Sequence, residues 1–400
     1  MLRGAWHQCG DKSQKLVVEQ FEHKVGVGVI ISPRDVARRK AIEYARAYHA
    51  LGAHVLIDQQ FYEPKFSNSN LASYPISPYR AKVSQPDQLA DSDLAGLADA
   101  LHIVNREISA DGLIAPAVVY QAERPDIVQL NARLLAVAKR VGDELGIPTY
   151  ATTIFGRSCT SSDSTMSAIL SRVTALNCDG WYYGFEFGQE RIPTSREGVL
   201  RCCVSGLTLA CTGKPVLHAY AGPMALLSLG FGATGTAVGH SQNLWKFTPT
   251  RWYPRTGEGG GGGAPPRFFS SKLWGTIIYP DEVIKLPADL RNQVLTNSPF
   301  STSVSLSQPF APWTRWNASK HLVHIIGSAI ANVTACDEPR ANAGAAISVL
   351  EEATALHGSI AAGGLVLADN TNAYQRNWQL AMTDLLNTHS KDFDYLALLR

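Results

Sequence analysis

An alternation of short apolar runs with amphipathic segments is the feature that most constrains the fold of this chain. Apolar runs at residues 25–31, 54–57, 113–120, 149–155, 180–187, 215–220 and 236–239 alternate with segments of helical periodicity. Such repeats form parallel strands joined by crossover helices. An eighth run at 273–279 would allow the sheet to close. We therefore predict an α/β fold, a (β/α)8 TIM-type barrel with an added C-terminal helical region.

An open dinucleotide-binding sheet is the main alternative to a barrel. That fold requires a GxGxxG turn between a strand and a helix. Gly26 and Gly28 lie inside the first apolar run instead of after it. The glycine pattern therefore favours the barrel.

The chain divides into three predicted regions. Residues 1–23 are predicted to be an N-terminal extension, and residues 24–285 to be the barrel. The barrel includes a glycine-rich segment at 256–266, which we expect to be a flexible surface loop. Residues 286–400 are predicted to be mainly helical and to pack on the barrel, with helices near 319–333, 343–356 and 372–386.

Composition excludes several classes of protein. The formal net charge is +2, which is too small to mark a dedicated nucleic-acid-binding chain. Seven scattered cysteines form no CxxC pair, and no apolar stretch approaches the roughly 18 residues of a membrane span. We expect a cytoplasmic protein with reduced thiols, no membrane association, no metal site and no cofactor.

Carboxylates at the ends of two predicted strands are the candidate catalytic groups. Asp58 ends the apolar run in VLIDQQFY, and Glu186 alternates with aromatic residues in WYYGFEFGQE. In a barrel, functional side chains come from the C-terminal ends of the strands. A partly shielded carboxylate there could act as an acid or base, or accept N–H groups of a ring edge. Alternatives are a turn cap for Asp58 and a buried salt bridge for Glu186.

Other polar, aromatic and glycine positions near the strand ends are predicted to bind a substrate. They are Gln59, Gln60, Phe61, Thr153, Tyr182, Gly184, Gly188, His218, Tyr220 and His240. Basic residues follow the last strand among aromatic residues, a pattern that can hold phosphates and stack bases. The predicted nucleic-acid or phosphate contacts in this segment are Lys246, Arg251 and Arg255.

Taken together, these segments resemble the tRNA-guanine transglycosylase family and its DNA-modifying relatives, over roughly residues 24–255. VLIDQQF is similar to the site of the family's conserved acid, and YYGFEFGQE to the glycine-bearing strand that receives the base. KPVLHAYAGPMALLSLGFGATG and TPTR are similar to the strand–turn–helix and the proline-threonine-arginine run that end the family's barrel. The resemblance implies a barrel that exchanges guanine for a 7-deazaguanine base in a nucleic acid.

The chain departs from this family at two functional sites. Asn243, Leu244 and Trp245 stand where the family carries its nucleophilic aspartate, and no carboxylate occurs between Glu197 and Glu258. The family's zinc site has no counterpart either. A covalent glycosyl intermediate needs a nucleophile, which none of these three side chains readily supplies.

Three functional hypotheses therefore remain open at this stage. The first is a transglycosylase-like barrel that binds a guanine or 7-deazaguanine-type base and acts on a nucleic acid or nucleoside. The second is a catalytically diverged binding or scaffold subunit of a multi-component system. The third is an unrelated barrel hydrolase or lyase that uses Glu186 and His218. The expected partner is a purine-like small molecule, and a nucleic acid, a protein acceptor and a homodimer stay open.

Overall fold

The computed structural model describes residues 3–10, 12–188, 192–241, 244–253, 266–302, 304, 313–333, 338–368 and 373–400. Ten strands occur in this part of the chain: β1 Gly4–Cys9, β2 Gly28–Ile31, β3 His54–Ile57, β4 Leu113–Ile114, β5 Thr149–Phe155, β6 Gly180–Phe185, β7 Val216–His218, β8 Gly235–Gly239, β9 Arg267–Ser270 and β10 Gly275–Ile278. The α-helices of the first half are α1 Gln14–Glu22, α2 Arg38–Ala50, α3 Ser69–Ala72, α4 Ser77–Val83, α5 Asp91–Glu107, α6 Asp126–Leu145 and α7 Asp163–Val173. Those that follow are α8 Arg196–Ala210, α9 Ala225–Gly230, α10 Ala288–Val294, α11 Arg315–Val333, α12 Pro339–Ala362, α13 Ala373–Thr388 and α14 Ser390–Leu398.

Strands β1 to β8 form one parallel sheet that curves into a nearly closed barrel. Their order in the sheet is β3-β2-β1-β8-β7-β6-β5-β4, so neighbours along the chain are neighbours in space. β3 and β4 meet through Asp111, whose amide donates to the carbonyl of Val55 at 3.0 Å and whose carboxylate accepts the Val55 amide at 2.7 Å. The predicted (β/α)8 TIM-type barrel is confirmed.

Two of the predicted boundaries are wrong. The N-terminal extension assigned to residues 1–23 contains β1, which pairs with both β2 and β8 at the centre of the sheet order. The apolar run 273–279 contains β10, which pairs antiparallel with β9 in a separate hairpin. The barrel thus gains its eighth strand from the N-terminal side. Most of the glycine-rich loop predicted at 256–266 lies outside the described residues.

The barrel interior is apolar at its N-terminal end and polar at its C-terminal end. Trp6, Tyr150 and Leu217 belong to the inner cluster of buried residues. Gln8 on β1 and Tyr182 on β6 also point inward, where the Gln8 amide donates to the Tyr182 hydroxyl at 3.3 Å. Side chains alternate between the two faces of a strand. Only residues whose side chains face inward, as those of Gln8 and Tyr182 do, can therefore reach the mouth of the barrel.

The C-terminal region packs on one flank of the barrel, as predicted. Helix α9 is short and all of its residues are buried. It is covered by α11 and α12, while α13 packs against α8. α12 extends well beyond the predicted bounds of 343–356. Of the described helices, none combines the length and apolarity that a membrane crossing requires.

Gly28 gives a direct test of the packing inside the barrel. A Cβ atom at Gly28 would lie 2.5 Å from Cζ3 of Trp6, which is 1% exposed. Gly28→Ala is therefore expected to lower the free energy of unfolding by about 1–3 kcal/mol, because the ring has little space into which to move. Urea unfolding measures this value. Gly358→Ala is the matched control: its Cβ meets nothing within 4 Å in α12, and alanine should stabilise that helix.

Candidate functional site

Asp58 lies at the barrel axis, one residue beyond β3, and accepts four hydrogen bonds. Its Oδ1 accepts the Tyr62 hydroxyl at 2.8 Å and the Gln60 amide at 3.1 Å. Its Oδ2 accepts the hydroxyls of Tyr220 at 2.9 Å and Tyr182 at 3.1 Å. Asp58 is only 1% exposed. The carboxylate is therefore held by the protein itself.

Burial and hydrogen bonding have opposite effects on the pKa of Asp58. Burial raises the pKa of Asp58 above its ordinary value, and the hydrogen bonds from Tyr62 and Tyr220 act to lower it. Burial and the neighbouring Asp58 charge raise the pKa values of Tyr62, Tyr182 and Tyr220. All three hydroxyls consequently remain protonated near neutral pH and can donate to the carboxylate.

A cluster of aromatic rings, here called the aromatic plug, covers Asp58 on the mouth side. It consists of Tyr62, Tyr220, Phe247 and Trp252. The ring centroid of Tyr62 lies 5.1 Å from that of Phe247 and 5.2 Å from that of Trp252. Phe247 and Trp252 are buried and come from the segment after β8. A ligand at the mouth meets the aromatic plug before it meets Asp58.

A chain of hydrogen bonds links buried Asp58 to the rim of the barrel. The Gln60 amide group donates to the Tyr220 hydroxyl at 3.4 Å and to Ser32 Oγ at 3.0 Å. Ser32 Oγ also lies 2.6 Å from Oδ2 of Asp35, to which it can donate. Gln60 and Tyr220 both adopt a left-handed backbone conformation, with φ of 53°. Such strain in non-glycine residues persists only where the surroundings enforce it.

A cleft of about 620 Å³ opens at the mouth where this chain of hydrogen bonds ends. Its described lining residues come from the segments after β1, β2 and β8 and from residues 70 and 248–253. They are Gly10, Arg34, Asp35, Asn70, His240, Ser241, Leu244, Thr248, Thr250, Arg251 and Tyr253. We call this space the mouth cleft.

The mouth cleft is lined by two arginines and one carboxylate. Asp35 forms ion pairs with Arg34, at 2.6 Å, and with Arg251. The Arg251 side chain is 9% exposed, yet its Nη1 has no hydrogen-bond partner among the described residues. The buried Nε of Arg34 also has no partner there. Among its described lining residues, the mouth cleft therefore has one more positive than negative formal charge, and two buried arginine N–H groups beside it have no hydrogen-bond partner among the described residues.

The structure brings together only some of the predicted site residues. Asp58, Gln60, Tyr182 and Tyr220 meet at the barrel axis, as described above. His240 and Arg251 both line the mouth cleft. Gly184 lies inside the barrel, where the Ile154 side chain covers it: a Cβ at Gly184 would meet Cδ1 of Ile154. Arg255 lies outside the described residues.

Four predicted substrate-binding residues belong to the outer layer and are corrected here. Thr153 and His218 alternate with the inward residues of β5 and β7 and point towards the surrounding helices. His218 is buried against Ser228 Oγ at 2.6 Å, and burial lowers its pKa to about 3. Phe61 packs under the guanidinium of Arg80, and Gln59 is fully buried beside it. None of the four faces the mouth cleft.

Glu186 lies at the rim, away from Asp58. Its Oε2 accepts the Arg157 amide at 3.0 Å, and burial raises its pKa above the ordinary value. Lys246 does not line the mouth cleft, and its Nζ donates to the Gly188 carbonyl at 3.0 Å. The Glu186–Arg157 contact joins the loop after β6 to the loop after β5, and the Lys246–Gly188 contact joins the loop after β6 to the segment after β8. This geometry fits a structural role for Glu186 as well as it fits a role as an acid or base.

Sequence reasoning missed several residues that organise the site. Gln8 was missed because β1 was assigned to an extension. Arg34 and Asp35 directly follow β2, so the rule that polar strand ends carry function could have identified them. Arg80 has no such signal: it comes from α4 and donates to the carbonyls of Gln59, Gln60 and Glu63. It fixes the turn that carries Asp58.

No group of three or more metal-ligating side chains of suitable geometry occurs in the described part of the chain. The groups best placed to hold a ligand are the arginine N–H groups and the hydroxyls of the mouth cleft. These donors suit an anion.

Comparisons with known proteins identify no family. The sequence matches no protein-family profile and no curated protein. Solved structures with similar architecture include a glycerol uptake operon antiterminator-related protein from Thermotoga maritima MSB8, with 11% identity over 62% of this chain and 100% of that protein and a TM-score of 0.32. A GH18 chitinase from Pseudoalteromonas aurantia has 11% identity over 60% of this chain and 94% of that protein, with a TM-score of 0.38. A xylose isomerase domain protein from Planctomyces limnophilus has 11% identity over 60% of this chain and 91% of that protein, with a TM-score of 0.34. No argument about activity follows from similarity this low, and the barrel is defined by its own strand order.

Proposed function

We propose that this barrel binds a phosphate-bearing ligand of the nucleotide type in the mouth cleft. The observation that carries the proposal is the Arg251 guanidinium, which is nine-tenths buried at the cleft with Nη1 unpartnered among the described residues. A buried N–H group without an acceptor costs about 1–3 kcal/mol. A phosphate oxygen in the mouth cleft would remove that cost through a charge-assisted hydrogen bond once a shift of the cleft wall exposes Nη1, which is fully buried in this structure.

The size and lining of the mouth cleft agree with a nucleotide. Its volume of about 620 Å³ falls within the range of roughly 300–1,000 Å³ that is typical of small-molecule sites. Arg34 and Arg251 can share one phosphate, since both contact Asp35. Thr248 and Thr250 add hydroxyls, and Tyr253 is 50% exposed and offers a ring face for a base.

We propose that the base of this ligand is guanine or a 7-deazaguanine-type ring, because the carboxylate at the barrel axis can accept hydrogen bonds from its N–H groups. The Watson–Crick edge of guanine carries adjacent N–H donors, and an ionised carboxylate is an acceptor only. Asp58 could accept those donors in place of tyrosine hydroxyls. Phe247 and Trp252 stand in the way, so base recognition at Asp58 requires the aromatic plug to move.

The proposal is binding, and it includes no glycosyl-transfer step. Asp35 is the one carboxylate among the described lining residues of the mouth cleft. It already interacts with Ser32, Arg34 and Arg251. An aspartate paired in this way is a poor nucleophile, so the diverged binding subunit is the hypothesis that the geometry supports best.

Calorimetric titration with GMP, guanosine and CMP tests this proposal. Wild-type protein is expected to bind GMP at least tenfold more tightly than guanosine, and Arg251→Met to weaken GMP binding by about tenfold or more, because a charge-assisted hydrogen bond is lost. Arg140→Met, on the outer surface of α6, is the matched control and should bind as wild type does. Equal affinity for GMP and guanosine, unchanged in Arg251→Met, would refute phosphate binding. Equal affinity for GMP and CMP would refute recognition of a guanine-type base.

A further inference from the structure

Residues 248–253 form a short segment in the wall of the mouth cleft, here called the cover segment. Its centre is the single 3-10 turn Pro249–Trp252. Within it, the Arg251 amide donates to the Thr248 carbonyl at 3.3 Å, and the hydroxyls of Thr248 and Thr250 lie 2.9 Å apart. Because these hydrogen bonds are internal, the cover segment can move without losing them.

A single ion pair joins the cover segment to the barrel by polar contact. The Arg251 guanidinium pairs with the Asp35 carboxylate, and both side chains are at least nine-tenths buried. In the part of the chain that the structure describes, no other hydrogen bond of residues 248–253 reaches outside the segment. Asp35 is itself fixed by Ser32, whose Oγ lies 2.6 Å from its Oδ2. The position of the cover segment therefore depends on this ion pair and on aromatic packing.

Trp252 is the residue of the cover segment that closes the Asp58 site. It is fully buried, with its ring centroid 5.2 Å from that of Tyr62 and 6.4 Å from that of Tyr220. The hydroxyls of both tyrosines donate to Asp58. The Arg251 guanidinium lies over the Trp252 ring, 5.7 Å from its centroid. Since the two side chains are neighbours on one turn, a displacement of Arg251 also displaces the ring.

The two parts of the proposed ligand site are obstructed by this same segment. Arg251 Nη1 is fully buried, so a phosphate oxygen reaches it only after the cleft wall shifts. Asp58 is 1% exposed and lies beneath Trp252. One displacement of the cover segment would therefore open both the phosphate position and the base position.

We propose that the cover segment is an autoinhibitory lid, held closed by the Arg251–Asp35 ion pair and opened when a ligand phosphate replaces Asp35 as the partner of Arg251. This inference rests on the nucleotide binding proposed above and adds its regulation. Arg251 stays paired with an anion throughout, so opening leaves no buried charge uncompensated. Asp35 keeps its contacts with Arg34 and Ser32. A base without a phosphate binds only the fraction of molecules that are already open, which lowers its apparent affinity.

Asp35→Asn tests the ion pair in protein without ligand. In protein labelled with 15N, the Trp252 indole signal is assigned as the one missing from Trp252→Phe. Asparagine carries no charge to hold Arg251, so the Trp252 indole N–H should exchange with solvent about tenfold faster or more than in wild type. The Trp6 indole, which is also buried without a partner among the described residues, should keep its exchange rate. Asp126→Asn, in an ion pair of which both members are 46% exposed, is the matched control.

Inorganic phosphate and guanosine test how the lid opens. Phosphate has the charge of the ligand but no ring to stack on Trp252. It should move the Trp252 signal of wild-type protein towards its position in Asp35→Asn, because both changes release Arg251 from Asp35. Guanosine has no phosphate to compete with Asp35. In calorimetric titrations it should bind Asp35→Asn about tenfold more tightly than wild type, because more molecules are open.

The proposal is overturned if Asp35→Asn leaves the exchange at Trp252 unchanged or accelerates exchange at Trp6 equally, since the opening would then not be local. It is also overturned if phosphate does not move the Trp252 signal towards its position in Asp35→Asn. Either failure with intact GMP binding leaves the nucleotide site standing without a lid. Faster exchange at Trp252 in Asp35→Asn, with no binding of GMP, supports the ion pair as the closing contact and refutes the nucleotide site.

Discussion

Replacement of Asp58 by alanine is expected to lower the free energy of unfolding by roughly 3–5 kcal/mol. The change leaves the Gln60 amide and the hydroxyls of Tyr62, Tyr182 and Tyr220 without their shared acceptor. All four donors are buried, and a buried donor without an acceptor keeps its desolvation cost. Urea unfolding followed by circular dichroism measures the loss.

Two further substitutions make the Asp58 result interpretable. Asp58→Asn retains the shape and one acceptor oxygen, and because burial disfavours the charged form of Asp58, it should cost much less than alanine. Asp126→Ala is the matched surface control, since Asp126 and its partner Arg124 are both 46% exposed; its effect should stay within about 0.5 kcal/mol. If Asp58→Ala lowers the free energy of unfolding by less than about 1 kcal/mol, the hydrogen bonds to Asp58 do not stabilise the fold as described.

The protein is expected to lose stability steeply as the pH falls from 6.5 to 4. Burial lowers the pKa of His7, His321 and His357 from 6.5 to about 4, and that of His218 to about 3. Between these values the unfolded chain binds protons that the folded protein does not, so acid favours unfolding. One pKa unit corresponds to about 1.4 kcal/mol, so the shift of each histidine contributes roughly 3 kcal/mol or more to the free energy of unfolding. That stability is fully present only above pH 6.5.

Urea unfolding at intervals between pH 7.5 and pH 4.5 checks the acid effect. His218→Gln should flatten the dependence, since one buried titrating ring has been removed. His102→Gln, which replaces a part-exposed histidine on α5, is the matched control for the substitution itself. Equal slopes in His218→Gln and wild type would show that the buried histidine does not drive the loss.

The barrel could be predicted from the sequence because its strands are apolar on both faces and its helices are amphipathic. The strand that escaped prediction, β1, has the sequence GAWHQC. His7 faces outward and contacts the Val25 carbonyl at 2.8 Å, and Gln8 faces inward to Tyr182 and Tyr220. Both polar side chains have hydrogen-bond partners that are distant in sequence. Nothing local distinguishes such a strand from a polar extension.

The site was only partly predictable, for a related reason. The strand-end rule located Asp58 and Tyr220, because each lies at the end of an apolar run, and the pattern of basic and aromatic residues after the last strand located Arg251. It could not show that Phe247 and Trp252 would fold back over Asp58, since that depends on the path of the chain after β8. It also could not tell which face of β5 and β7 pointed inward, and so Thr153 and His218 were placed in the site.

The strand order has a consequence for folding during synthesis. β1 is made first, yet one of its two edges pairs with β8, whose residues Gly235–Gly239 emerge much later. At ribosomal rates of about 5–20 residues per second, that delay is roughly ten seconds or more. During this time the nascent chain exposes an unpaired strand edge, which is a template for wrong pairing. A slow translation step before β8 would lengthen this interval. A chaperone that covers β1 to β3 would protect the unpaired strand edge during it.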